Sequence, residues 1–458
     1  MAAVTLLIGG CVPDFGAFSV IDDAGADASV GLDAGRDASA PTDAGPGPED
    51  AGPGDAGTDA GGFVPSAIDT VCDTPWAELS DPPPPGCAGR AVETVATPFE
   101  SLAVALGRGD DGTIVVAYNE VDGPDTGRVG TAVFDEDDPG AATEGPPIEP
   151  VSVLGDVVGT HLRVATEAPD THHVALWYRS DFGHEVQLHT LRGGAFAPPL
   201  TVASGVGRAG VLDAVIDADG HLAVAWHDDT TGRHAARRAD AVGAFGPERS
   251  LRSPGDSRMV GHGAISLAAG ATGNLHAVYQ WPFTLAASAP SYSQAMGDTW
   301  SVARTLDNTA VENRSSGVGV DVTVQGSEVV AAYLDWRDGV GEIRVARIGR
   351  TPDPEVSTFM MGVVIAEQPG DHPIEIATDR NGWLHLLVAD SSATGTSLQY
   401  HRQTRVGGEL RWIMDTVAEF TGAPERVYVD LKLGPDRRPH IVFWDPTVGR
   451  VRYATAAP

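Results

Sequence analysis

The chain has 458 residues, with 63 acidic against 30 basic side chains and a formal net charge of −33. A surface of that sign repels a phosphate backbone, which excludes nucleic acid as a partner. No run of 18 apolar residues exists, so no segment has the make-up of a membrane-spanning helix; a 42% hydrophobic chain of this length can still bury a large core.

Residues 1–11, MAAVTLLIGGC, form a short apolar segment ending in Ile8-Gly9-Gly10-Cys11. Small residues at the two positions before a cysteine, with a branched aliphatic one place earlier, resemble a bacterial lipoprotein signal. That resemblance implies export, lipidation at Cys11, and attachment to the outer membrane through the lipid alone, on its surface or periplasmic face. No Lys or Arg precedes the apolar run, which departs from the positive n-region of a secretory signal.

Residues 12–66 read as a disordered linker. Within 22–62 there are eight Asp-Ala-Gly or Asp-Ala-Ser triplets, no aromatic residue, and Arg36 alone against ten acids. Such a composition buries too little apolar area to offset the entropy of ordering. Its like charges extend it beyond the roughly 45 Å expected of a neutral flexible chain of about sixty residues. The segment resembles the Asp/Ala/Gly tethers of surface lipoproteins from G+C-rich Gram-negative bacteria. Residues 67–89 follow, where Cys72 and Cys87 flank a run of four prolines, 82–85. In an exported chain the pair is expected to form a disulfide, constraining the loop by about 3 kcal/mol. A metal site or two free thiols are the alternatives, and no His lies between the cysteines to favour a metal.

From residue 90 to 458 one pattern returns: a turn, a short apolar run ending in a bulky residue, a polar loop, and a further strand-like run. Taking Gly112, Thr171, Gly220, Gly273, Gly326, Gly382 and Arg437 as equivalent gives spacings of 59, 49, 53, 53, 56 and 55 residues. A period near 50 with several short strands per unit predicts an all-β, seven-bladed β-propeller with four antiparallel strands per blade. First strands are small and aliphatic, as in 102–106, 162–166 and 212–216, and suit the wall of a central channel. The seventh unit stops after its third strand, 450–455, whereas residues 91–97 resemble a last strand. An N-terminal strand is therefore expected to complete the last blade, which leaves no long edge unpaired.

Three sets of residues could carry chemistry. His276, His385 and His440 recur three places after the turn in units four, six and seven. Equivalent positions in a radial array lie on a ring and do not converge on one ion, so these are expected to be buried, bonded to a neighbouring blade, and not metal ligands. The loops after second strands carry Asp228, Asp335, Asp390 and Asp445 with the aromatics Tyr178, Phe182, Trp281, Phe283, Trp336 and Trp444. Carboxylates beside aromatics suit a sugar ring or peptide, and equally suit turns and rim packing. The loops leading into first strands carry His161, Arg208, Arg258 with His262, Arg314, His372 and Arg426, a possible clamp for a carboxylate or phosphate at the channel mouth.

Sialidase-type propellers resemble this arrangement in holding a substrate carboxylate with arginines at a central pocket. The Ser-x-Asp-x-Gly-x-x-Trp box of that family is absent, and Gly297-Asp298-Thr299-Trp300 keeps only a fragment. The expected function is a non-enzymatic binding module for an extracellular or periplasmic glycan or protein, monomeric and without cofactor or metal. The alternatives are a glycoside hydrolase or lyase acting on acidic saccharides at the central pocket, and a scaffold of an envelope complex.

Overall fold

The computed structural model describes residues 90–94, 103–121, 126–152, 161–180, 183–206, 209–228, 231–240, 243–251, 264–284, 287–297, 299–307, 314–337, 340–349, 355–363, 374–392, 395–406, 409–421, 428–447 and 449–456. Cys11, the acidic linker and the Cys72–Cys87 pair lie outside them. The described residues contain strands and turns and no helix.

The strands form seven antiparallel blades. Blade 1 comprises Val104–Arg108, Thr113–Val121 and Thr126–Asp135, with its outer strand in two pieces, Asp138–Glu144 and Ile148–Ser152. Blade 2 runs Leu162–Ala168, Thr171–Ser180, Gly183–Arg192, then Ala195–Phe196 and Leu200–Val206. Blade 3 is Ala209–Ile216, Leu222–Asp228, Arg233–Arg238 and the two-residue Arg249–Ser250. Blade 4 is Ile265–Ala269, Leu275–Thr284, Ala287–Met296, then Thr299–Trp300 and Arg304–Thr305. Blade 5 is Arg314–Gln325, Glu328–Arg337, Val340–Ile348 and Glu355–Val363; blade 6 is Ile374–Thr378, Leu384–Ser392, Gly395–Val406 and Glu409–Thr421. A single parallel bridge, Ser288 to Ser315, joins blades 4 and 5 into one continuous sheet.

Blade 7 contains Val429–Leu433, Pro439–Asp445 and Arg450–Ala456, and its fourth strand is Arg90–Thr94. Arg90 pairs with Ala456 and Thr94 with Arg452, so the ring is closed by the N-terminal strand as expected, displaced one residue from the predicted start at 91. Each blade is apolar on both faces because it is sandwiched between two neighbours. One cluster packs Leu106, Tyr118 and Phe134 of blade 1 with Val442 and Tyr453 of blade 7; the edge of Phe134 meets Tyr453 at 4.9 Å between centroids.

The turns between first and second strands explain the repeat. In blades 1, 3, 4, 6 and 7 the first turn residue (Gly109, Asp217, Gly270, Asp379, Gly434) donates its N–H to the carbonyl four residues on, at 2.8–3.0 Å. The residue three along (Gly112, Gly220, Gly273, Gly382, Arg437) returns an N–H to that first residue at 2.8–3.1 Å. Closing both bonds demands a left-handed backbone, and the five residues have φ between 73° and 88°. Arg437 is the one non-glycine with positive φ among the described residues, and it occupies the position that the repeat alignment gave it. Blades 2 and 5 use two-residue turns, Pro169-Asp170 and Gly326-Ser327. Thr171 therefore begins a strand and is not a turn residue, which corrects the alignment in blade 2.

These turns define one end of the propeller, the turn face. Connections between second and third strands, and those from blade to blade, lie at the opposite end, the loop face. Arg90 sits on the turn face, since Ala456 lies at the same end of blade 7 as Pro439.

Candidate functional site

The central channel differs from expectation. The first strands are not uniformly aliphatic, because one register position in each faces the axis: Ala105, Arg163, Asp213, Ser266, Asp321, Glu375 and Asp430 in blades 1 to 7. Each lies opposite a small or aliphatic residue of the second strand, for example Asp213 opposite Ala225 and Asp430 opposite Val442. All seven are at most 8% exposed.

A buried charge is tolerated only when paired and hydrogen-bonded, and this ring satisfies that demand between blades. Asp430 of blade 7 accepts the Leu106 N–H of blade 1 at 2.8 Å, and Asp213 of blade 3 accepts the Leu267 N–H of blade 4 at 2.7 Å. Asp321 of blade 5 accepts the Ile376 N–H of blade 6 at 2.6 Å, while Ser266 of blade 4 accepts the Val322 N–H at 3.3 Å and donates to Asp321 at 2.5 Å. In every case the donor is the residue just after the ring position of the next blade. Arg163 reaches Asp213 at 3.2 Å and Glu375 at 3.0 Å. Blades 2 and 6 are not neighbours, so the Arg163–Glu375 pair spans the channel at that level. Lys432, half-buried below the ring, binds Asp430 at 2.6 Å. Burial, with Asp321 nearby, holds the Glu375 carboxyl well above the usual carboxylate range, and burial raises Asp321 too.

The seam between blades 7 and 1 carries a second polar network, on the turn face. Arg108 binds Glu136 at 2.7 Å, and Arg438 binds Asp137 at 2.8 Å and Asp436 at 3.1 Å. His440 lies 3.3 Å from Glu136 through Nε2. Its Nδ1 meets the Tyr453 hydroxyl at 2.5 Å, and burial beside Arg108 and Arg438 pushes its pKa down to about 3. His276 pairs likewise with Tyr292 at 2.8 Å, and His385 with Tyr400. The recurring histidines therefore bond first to a tyrosine on the third strand of their own blade, because cross-strand neighbours are closer than the adjacent blade. Asp217, Asp219 and His221 bring three possible metal-ligand atoms within 4.8 Å of one another. The Arg238 guanidinium occupies that cluster, donating to Asp217 at 2.6 Å and lying 3.1 Å from His221 Nδ1, and so offsets part of its negative charge.

On the loop face three of the described acidic residues are committed internally. Asp335 is fully buried and binds Arg344 at 2.8 Å; Asp445 lies 3.4 Å from Arg452; Asp228 accepts from Thr231 at 2.6 Å. Trp444 and Tyr178 are half-buried covers of the core shared by blades 7, 1 and 2, so the structure places Trp444 in packing and not on an open platform. His161 is 6% exposed and lies two residues ahead of Arg163, just before the strand begins. Arg208, Arg258, His262, His372 and Arg426 lie outside the described residues. For Trp281, Arg314 and Trp336 only the backbone is described: Trp281 is opposite Ala289, Ser315 opposite Trp336, and Ser315 bridges Ser288. The extended hairpins of blades 4 and 5 thus bring these three residues onto adjoining strands of one sheet at the loop face.

Sequence reasoning missed the axial ring, although a signal existed. Ala105, Asp213, Ser266, Glu375 and Asp430 each stand seven residues before the positive-φ turn residue of their blade.

No family model matches the sequence, and neither does any curated protein. Solved structures do resemble it in fold. The BP39L lectin from Burkholderia pseudomallei superposes with a TM-score of 0.51 at 11% identity, over 79% of this chain and 97% of the lectin. A PL25 ulvan lyase bound to -[GlcA(1-4)Rha3S]- gives 0.52 at 13% identity, over 81% of this chain and 96% of the lyase. At such identities the likeness is one of architecture: this chain is an all-β, seven-bladed propeller.

Proposed function

We propose that the propeller is a binding module that takes a glycan or protein ligand on its loop face. The observation that carries this reading is the bridged axis. With Arg163 and Glu375 bridging blades 2 and 6 and all seven ring residues buried, we take the ring as the floor of a cup at the loop-face mouth. The loops that feed that mouth carry Arg208, Arg258, Arg314 and Arg426, in a chain of net charge −33. Convergent guanidinium groups suit a carboxylate or sulfate, and tryptophans suit the apolar face of a pyranose. The fold likeness to a lectin supports binding. The likeness to a polysaccharide lyase supports the second reading, a hydrolase or lyase acting on an acidic saccharide in the same cup.

The domain is further proposed to be lipid-anchored through Cys11 to the outer membrane, with residues 12–66 as tether and a Cys72–Cys87 disulfide before the first strand. Because Arg90 lies on the turn face, that lead-in joins the propeller at the end opposite the loop face. Palmitate labelling that is lost in Cys11→Ser supports the anchor; equal labelling of both forms removes it. Iodoacetamide alkylation of both Cys72 and Cys87 without prior reduction removes the disulfide.

The functional test is a glycan array and a fluorogenic-glycoside screen of the folded domain beside Arg258→Ala and Arg314→Ala. Binding without turnover, weakened in both variants, supports the module. Turnover of an acidic saccharide hands the site to the enzyme reading. If neither responds, a protein ligand is to be sought by pull-down from envelope extracts.

A further inference from the structure

The axial cluster encloses more negative than positive charge. Asp213, Asp321, Glu375 and Asp430 supply four carboxylates, against the Arg163 guanidinium and the Lys432 ammonium. Blade 1 contributes only Ala105 and the Leu106 N–H, and blade 4 only Ser266 and the Leu267 N–H. His161, ahead of Arg163, is the next titratable group toward the loop face. With every carboxylate ionised, the described residues of the cluster would hold two more negative than positive charges, and a buried charge without a partner is strongly unfavourable.

We propose that the axial cluster is a proton-linked lock: a proton held among its four carboxylates keeps the inner strands drawn together, and its loss as pH rises loosens the ring. Glu375 is its seat. Asp213 and Asp430 each accept a backbone N–H from the next blade and face a cation, which stabilises their ionised forms. Asp321 accepts from Ser266 and Ile376 and stands beside Glu375. Glu375 has Arg163 as its ion-pair partner, shared with Asp213, and burial combined with Asp321 favours its neutral form.

The sign follows from linkage. A carboxyl whose folded pKa is raised contributes stability that is complete below the ordinary carboxylate pKa and lost as pH rises through the folded value. Ionising Glu375 sets it against Asp321, whose carboxylate holds the N–H of the next residue in blade 6, Ile376. The joint between blades 5 and 6 should therefore open first.

Hydrogen exchange of the whole folded chain reads this out at the amides bonded to ring side chains. As pH rises above the ordinary carboxylate range, protection at Ile376 should fall by up to about tenfold per pH unit beyond the intrinsic change, and Glu375→Gln should abolish that fall. Leu106, bonded to Asp430 at the far seam, should respond less. If Glu375→Gln fails to fold, Asp321→Asn retains an oxygen acceptor for Ile376 and should weaken the loss of protection as pH rises. Unchanged protection in the wild type, or an equal fall in Glu375→Gln, overturns the proposal. Restoration of wild-type protection at the raised pH by added sodium or calcium overturns it as well, by making a cation and not a proton the missing charge.

Discussion

The inner and outer strands of this propeller answer opposite demands. At the axis every blade places one residue at a shared register, and all seven are buried, five of them charged. At the rim the fourth strands range from two residues, Arg249–Ser250, to thirteen, Glu409–Thr421. Val302 and Met296, at the edge of blade 4, are 77% and 71% exposed. An inner residue has neighbours from two blades and across the channel, so its chemistry is fixed by all of them. An outer strand has one ladder partner and solvent, so its length drifts without consequence. Uniformity thus follows the number of neighbours, and the least apolar positions of the inner strands are among the most constrained.

Arg90–Thr94 is the exception that tests this lesson, being an outer strand on which ring closure depends. Removing residues 1–97 should expose the edge of Arg450–Ala456 and produce aggregation or a strongly lowered melting temperature. Removing residues 12–65 should leave melting almost unchanged if that segment is disordered. Equal melting curves for the two truncations would show that the fourth strand of blade 7 matters no more than that of blade 3.

At the axis, Arg163→Ala leaves Asp213 and Glu375 without their guanidinium and should cost about 3–5 kcal/mol in urea unfolding. Arg163→Met, combined with Asp213→Asn and Glu375→Gln, should recover much of that loss, because removing the three charges together removes their desolvation penalty. At the rim Val302→Ser should change stability by less than about 0.5 kcal/mol. A rim effect as large as the axial one would break the comparison.

Acid provides a graded test of the buried histidines. Burial pushes His189, His276 and His401 down to about 4, and His440 to about 3. Each contributes stability that is present above the unfolded histidine pKa and lost as pH falls toward the folded value, at up to about 1.4 kcal/mol per pH unit per group. The urea midpoint should therefore fall steeply from near neutral pH to about 4. His189→Phe, beside Phe196, should make the slope shallower; an unchanged slope would mean that this ring titrates normally.

The turns carry smaller effects than the axis. Gly220 has φ 80° and nothing within 4 Å of an added Cβ, so Gly220→Ala isolates the backbone term and should cost about 1 kcal/mol. Arg437→Gly should do the reverse, stabilising by about 0.5 kcal/mol once the greater entropy of an unfolded glycine is subtracted. Thermal unfolding that moves both variants in the same direction would contradict the equivalence of the two turns.

What the sequence by itself determined is whatever is written locally and repeated. Turn glycines, apolar runs ending in a bulky residue, and their period specify the blade, the count of seven and the closing strand. Even the equivalence of Arg437 to four glycines was legible, because spacing preserved it where residue type did not. Only the tertiary structure decided the charges. Arg163 and Glu375 are 212 residues apart and meet because five further inner strands complete the circle between and around them. Asp335 and Trp444 look from the sequence like ligand-facing groups, yet one is spent on Arg344 and the other covers a core. A side chain's partner across a ring depends on closure, and closure depends on every blade at once, which no local pattern encodes.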